Sequence, residues 1–232
     1  MRKGIWLLLG VVLSTTMACS LFDQLLPSNI SNAGSSGSAG QTGSGGSAGS
    51  NVLFSDSFGD SGSGWEVGQY DNGSVGYQGG TYAVVSDGNG ATMWGAANQT
   101  FTDVDIQVDA TEVKAPANSN NDYGVVCRLQ SNGDGYYLLI SGDGLYSIQK
   151  GANDSYNALV DWTDSSAINQ GDVHNSLRAV CQGSNLTLYV NGQQVANATD
   201  SEFTSGDLGL TATSYESDPT EVHFDNLVVS QP

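Results

Sequence analysis

DYGVVCRLQSNGDGYYLLISGDGLYSIQK, residues 122–150, reads as three short strands joined by two tight turns. The apolar runs are rich in Val, Leu, Ile and Tyr, and SNGDG and SGDG between them carry the Gly, Asn and Asp that turns require. Its first strand sets Cys127 beside Arg128, and LRAVCQ at residues 177–182 repeats the pairing with Arg178 and Cys181. The same punctuation recurs outward in both directions: DNGS at Asp71, DGNG at Asp87 and VNGQ at Val190. Period-two alternation runs from Val104 to Ala110 and from Leu186 to Val190, where Asn191-Gly192 favours a hairpin. No amphipathic helix and no repeat of solenoid or propeller period stands out. The pattern is all-β, a sandwich or a barrel.

Residues 1–18 start basic (Arg2, Lys3), continue with a short apolar run from Ile5 to Leu13, and end at Met17-Ala18 before Cys19. The run is too short to span a bilayer and reads as a secretory signal. A Cys in that place resembles a bacterial lipoprotein signal, which implies lipidation of Cys19 and a place on the outer face of a bacterial membrane. Thr16 departs from the Leu or Val usual three positions before such a Cys, and an ordinary signal leaving Cys19 free is the alternative. Residues 19–50 follow as a Gly/Ser-rich linker; the 28–50 portion has a typical reach of about 25 Å. Residues 51–232 are then enough for one domain with a substantial core. A monomer is expected.

The formal net charge is −18, and removing Arg2 and Lys3 with the leader brings it to −20. Only Lys114, Arg128, Lys150 and Arg178 remain basic. So acidic a surface repels phosphate backbones, which excludes nucleic acid and makes the membrane a partner only through the lipid anchor.

Four stretches carry a family resemblance: FSDSFGDSGSGWEVG (54–68), LTLYVNGQQVANATD (186–200), SGDLGLTATS (205–214) and VHFDNLVVS (222–230). Together they resemble the concanavalin A-like and laminin-G-like domains, including the 3-keto-disaccharide hydrolase-like superfamily. The resemblance implies a two-sheet antiparallel jelly-roll β-sandwich. It implies less about function, because this fold carries lectins, carbohydrate-binding modules, glycosidases and adhesion domains.

Cys127 and Cys181 lie in expected strands of an exported chain, where pairing is favoured over two buried thiols. The two histidines, His174 and His223, have no zinc-like spacing. Side chains alternate along a strand, so each Arg points away from its Cys, and a disulfide on one face places Arg128 and Arg178 together on the other. Even-length turns would add Tyr137 and Tyr146 to the Arg face; a bulge would reverse a strand. Rings that stack on pyranoses beside guanidinium donors make a sugar site, with Trp162 as the candidate exposed ring and a polysaccharide or cell-surface glycan as partner. Arg–Asp salt bridges on an ordinary strand surface are the alternative. Trp65 reads as core, and Trp94 as either core or surface.

The run Asp103-Val-Asp105-Ile-Gln107-Val-Asp109 resembles the E-x-D-x-E strand of laminarinase-like glycosidases, but Gln107 stands where the acid/base partner belongs. It reads as a solvated acidic face, and no catalytic residue is assigned. No cofactor is required; Asp56 and Asp225, on terminal strands expected to pair, are candidate ligands for a structural Ca²⁺. Three functions remain open: a non-catalytic lectin-like or adhesion lipoprotein, a glycoside-processing enzyme of the 3-keto-disaccharide hydrolase type, and a structural surface domain.

Overall fold

A computed structural model describes residues 51–232. The expected signal, Cys19 and the linker lie outside the described residues. The described chain forms fifteen strands and no helix. In order they are β1 (Val52–Asp56), β2 (Gly68–Tyr70), β3 (Gly73–Gln78), β4 (Thr81–Ser86) and β5 (Ala91–Phe101). Next come β6 (Val104–Lys114), β7 (Asn121–Leu129), β8 (Gly135–Ser141), β9 (Leu145–Ala152) and β10 (Ser155–Asp164). The last five are β11 (His174–Gln182), β12 (Asn185–Val190), β13 (Gln193–Thr199), β14 (Gly206–Ser214) and β15 (Thr220–Ser230).

They build two antiparallel sheets, the jelly-roll sandwich expected. The nine-stranded sheet runs β13-β12-β11-β6-β15-β4-β3-β2, with β1 also on β15. The six-stranded sheet runs β10-β9-β8-β7-β14-β5. Alternation selects the core. Val104, Ile106, Val108 and Ala110 of β6 face inward, as do Tyr123, Val125 and Cys127 of β7 and Leu208, Leu210 and Ala212 of β14. Trp65 is core, packed edge-on against Phe58 and tilted against Tyr82.

Cys127 and Cys181 are bonded, with Cα atoms 6.8 Å apart. The bond joins β7 of one sheet to β11 of the other, so it crosses the core instead of lying on one face. The expected convergence of Arg128 and Arg178 therefore fails. Arg178 lies on the outer face of the nine-stranded sheet. Its Nε and Nη2 donate to Asp105 at 2.8 and 2.6 Å, and its guanidinium lies 4.7 Å from the Tyr189 ring centroid. Asp105 is 8% exposed and held by that pair, so it departs from the solvated acidic face expected.

Arg128 takes the reverse course. It sits in the left-handed region (φ 55°) at a bulge where β7 slips against β14 between Asp207 and Leu208. The bulge turns its side chain into the end of the sandwich, 2% exposed. There it donates to Thr102 O, Phe203 O and Asp103 Oδ1 at 3.1, 2.9 and 3.2 Å, and a buried guanidinium needs such partners. Tyr146 is also corrected. Three residues, 142–144, separate β8 from β9, and that odd count pairs Ile140 with Tyr146 and Leu138 with Ile148. Tyr146 thus packs against the core side, away from Tyr137.

The disulfide spans 54 positions, and in the chain-entropy view such a loop stabilises by about 4 kcal/mol. Replacing both cysteines with Ala is expected to lower stability by about that amount. Urea denaturation of the domain checks this; a loss under about 1 kcal/mol would contradict it.

Candidate functional site

The outer face of the six-stranded sheet has its own apolar layer. Val126, Leu129, Tyr137 and Leu139 are buried there, with Trp94, Ala96 and Trp162 packed against them. The turn between β7 and β8 leans over this face: the Tyr137 hydroxyl donates to Gly133 O at 2.6 Å. Gly133 has φ 89°, and a Cβ there would come within 2.9 Å of the Trp94 ring. The turn thus clamps the indole edge. Tyr137 is 1% exposed, so it supports the surface and does not present an open ring. Trp162 is half-buried on the same layer, while Tyr156 stands exposed, edge-on to Tyr137 at 5.0 Å.

Trp94 is half-buried because β5 alternates, with Met93 and Ala97 inward and Trp94 and Ala96 outward. One side of Trp94 lines a cleft of about 890 Å³, and the residue also borders a smaller one of about 230 Å³. The larger cleft continues over Thr92, Asn98 and Gln130 to three carboxylates, Glu66, Asp71 and Asp207. It exists because the ladder opens there. Asn98 takes a left-handed conformation (φ 58°), and β14 slips against β5 between Asp207 and Gly209.

The open ladder leaves backbone donors for Asp207. Gln99 N and Leu208 N both donate to its Oδ1, at 3.0 and 2.7 Å. Burial nevertheless pushes the Asp207 carboxyl above the usual range; these amides pull the other way, and the negative charge of Glu66 adds to the rise. Glu66 is fixed by the Tyr70 hydroxyl, which donates to Oε1, and by Ala96 N, which donates to Oε2 at 3.3 Å. The cleft thus joins an aromatic wall to amide, hydroxyl and carboxylate groups, two of which sense each other's charge.

Of the residues expected to bind, neither Arg128, Arg178 nor Tyr146 lines this cleft. Tyr137 and Trp162 underpin its aromatic wall. Glu66, Tyr70 and Asp207 carry no short motif, and the polar Asn98 inside an apolar strand is the one sequence signal of the bulge. The terminal strands do pair, with Asp56 opposite Leu227. Asp56 accepts from Phe58 N and the Ser63 hydroxyl, and Asp225 accepts from Asn226 N. Among the described residues no three His, Cys, Asp or Glu side chains gather as metal ligands.

A buried carboxyl lies beneath the same outer face. Asp122 is 2% exposed, and Tyr215 closes over it with a 2.5 Å hydrogen bond to Oδ2. Burial pushes its pKa up to about 6, against the opposing bonds from Tyr215 and Thr213.

The 3-keto-alpha-glucoside-1,2-lyase-like domain model matches residues 49–230. No curated protein matches the chain. Among solved structures, the carbohydrate-binding module CBM66 from Bacillus subtilis superposes with a TM-score of 0.60 at 18% identity, covering 73% of this chain and 96% of that one. The carbohydrate recognition domain of Emp47p gives 0.54 at 13% identity, over 81% and 99%. A putative glycosyl hydrolase from Parabacteroides distasonis gives 0.52 at 13% identity, over 75% and 91%. At these identities the likeness concerns the fold.

The raised Asp122 carboxyl sets a pH dependence. Its folded pKa lies above the ordinary 3.8, so the unfolded chain ionises first and stability falls as pH rises from about 4 to about 6. Between pH 4 and pH 7 the wild type should lose up to about 3 kcal/mol relative to Asp122→Asn. Urea denaturation of both proteins at the two pH values checks this; parallel pH profiles would contradict it.

Proposed function

The chain belongs to the 3-keto-alpha-glucoside-1,2-lyase-like domain family, and on that footing we propose that it is a cell-surface glycan-binding domain whose site is the cleft beside Trp94. The clamped indole in the cleft wall carries this reading. A pyranose has apolar faces that stack on such a ring, and its hydroxyls match the surrounding Asn, Gln, Thr and carboxylate groups. A ring held by Gly133 and the layer beneath it loses little freedom on binding, which favours affinity. The folds of CBM66 and the Emp47p carbohydrate recognition domain support the same reading. Export and lipidation at Cys19, with residues 19–50 as a tether, would place the cleft outside the cell.

A second reading rests on Glu66 and Asp207. A lyase acting beside a ketone needs one group to take a proton from carbon and another to protonate the departing oxygen. Two carboxyl groups in one cleft, with Asp207 raised by burial, suit such a division.

A polysaccharide array followed by calorimetry separates these readings. Trp94→Ala is expected to weaken glycan binding by ~10-fold or more, while Arg178→Ala, on the other sheet, leaves it unchanged. Equal affinity in Trp94→Ala would sink the assignment. Turnover of a 3-keto-glycoside that disappears in Asp207→Asn would replace the binding reading with the enzymatic one.

A further inference from the structure

The end of the sandwich away from Arg128 holds an anomaly of the opposite sign. The inward stripe of β6 that begins at Val104 ends on Glu112, and the inward stripe of β7 begins at Asn121. Both side chains are 1% exposed, and they meet across the two sheets, with Asn121 Nδ2 donating to Glu112 Oε2 at 2.5 Å. Their other oxygens, Glu112 Oε1 and Asn121 Oδ1, are buried acceptors that no donor among the described residues reaches. An orphaned buried acceptor costs about 1–3 kcal/mol, more when charged, so two side by side require an explanation.

The three oxygens converge at the β8–β9 turn. A Cβ placed on Gly142 would lie 2.6 Å from Asn121 Oδ1 and 2.9 and 3.2 Å from the two Glu112 oxygens. Gly142 O in turn accepts from Gly171 N at 3.3 Å, which docks the loop carrying the exposed Asp172. The charge of Asp172 is felt at Glu112, where burial already pushes the carboxyl up and the Asn121 bond pulls it down. A buried carboxylate, an amide carbonyl and a rim carboxylate, with no basic side chain among them, form an all-oxygen donor set. Such donors suit a hard divalent cation of flexible coordination number.

We propose that Glu112, Asn121 and Asp172 bind Ca²⁺, which ties β6 of one sheet to β7 of the other. The ion takes the two lone acceptors, offsets the charge of a buried carboxylate, and draws in Asp172 from the solvent side. Water completes its shell. The site is separate from the Trp94 cleft and independent of what that cleft binds. It also differs from the Asp56 and Asp225 pair read from the sequence.

The test uses the full chain, stripped with EDTA and returned to metal-free buffer. Calorimetry with CaCl₂ should show one ion per chain, and thermal melting should shift upward with Ca²⁺. Above the dissociation constant, each tenfold rise in Ca²⁺ lowers the unfolding equilibrium constant about tenfold. Glu112→Gln keeps the shape and the Asn121 contact but should abolish the shift. Asp172→Asn changes only an exposed residue, so it folds regardless, and should weaken Ca²⁺ binding ~10-fold. Binding that persists unchanged in Asp172→Asn would put the ion elsewhere and overturn the proposal. Absence of Ca²⁺ binding, with stability rising instead on acidification from pH 7 to 5 in the Asp122→Asn background, would overturn it too. That outcome would mean that a proton shared by Glu112 and Asn121 satisfies the pair.

Discussion

The Cys127–Cys181 bond crosses the core between β7 and β11, and the arrangement of the molecule follows from that crossing. A cross-link between facing sheets makes both cysteines inward residues. Their odd-step neighbours then point to opposite exteriors unless a bulge intervenes. Arg178 obeys the alternation and stacks outside on Tyr189. Arg128 sits on the bulge and turns inward to bind Asp103 and two carbonyls. One covalent bond and one irregular residue thus give two similar Cys–Arg pairs entirely different work.

The bulges also make the cleft. A regular ladder between β5, β14 and β7 would leave a flat surface beside Trp94. Asn98 and Arg128, both with positive φ, break the register on the two sides of Asp207. The amides freed by the break hold Asp207, and the widened gap admits Glu66 from the segment before β2. Aromatic and polar groups on a rigid sheet are thereby gathered where the sheet is least regular, while the turn at Gly133 fixes the indole beside it.

The two ends of the sandwich are closed by polar groups of opposite charge. At one end the Arg128 guanidinium finds donors' counterparts in Thr102, Phe203 and Asp103. At the other the Glu112 carboxylate meets Asn121 and leaves two oxygens without donors. An apolar core cannot seal its own open ends, because the strand termini bring polar backbone there. Charged residues pointing inward at the last turn of the alternation are one way of joining the sheets at that boundary.

Residues 51–232 declared their all-β character through local signals that need no partner: period-two runs, Asn-Gly and Asp-Gly turns, and the motif-bearing strands around Val190 and Phe224. The pairing of Cys127 with Cys181 was equally legible, since two strand cysteines behind an expected export signal have few alternatives. Which face each side chain occupies was not legible. One residue more or less in a turn, as in 142–144, or one left-handed residue, as at Arg128, inverts everything beyond it. Nor could local pattern show that Trp94, Glu66 and Asp207 share a cleft, or that Glu112 meets Asn121. These groups come from strands and loops distant in sequence and meet only when the sheets stack, so their chemistry belongs to the tertiary structure.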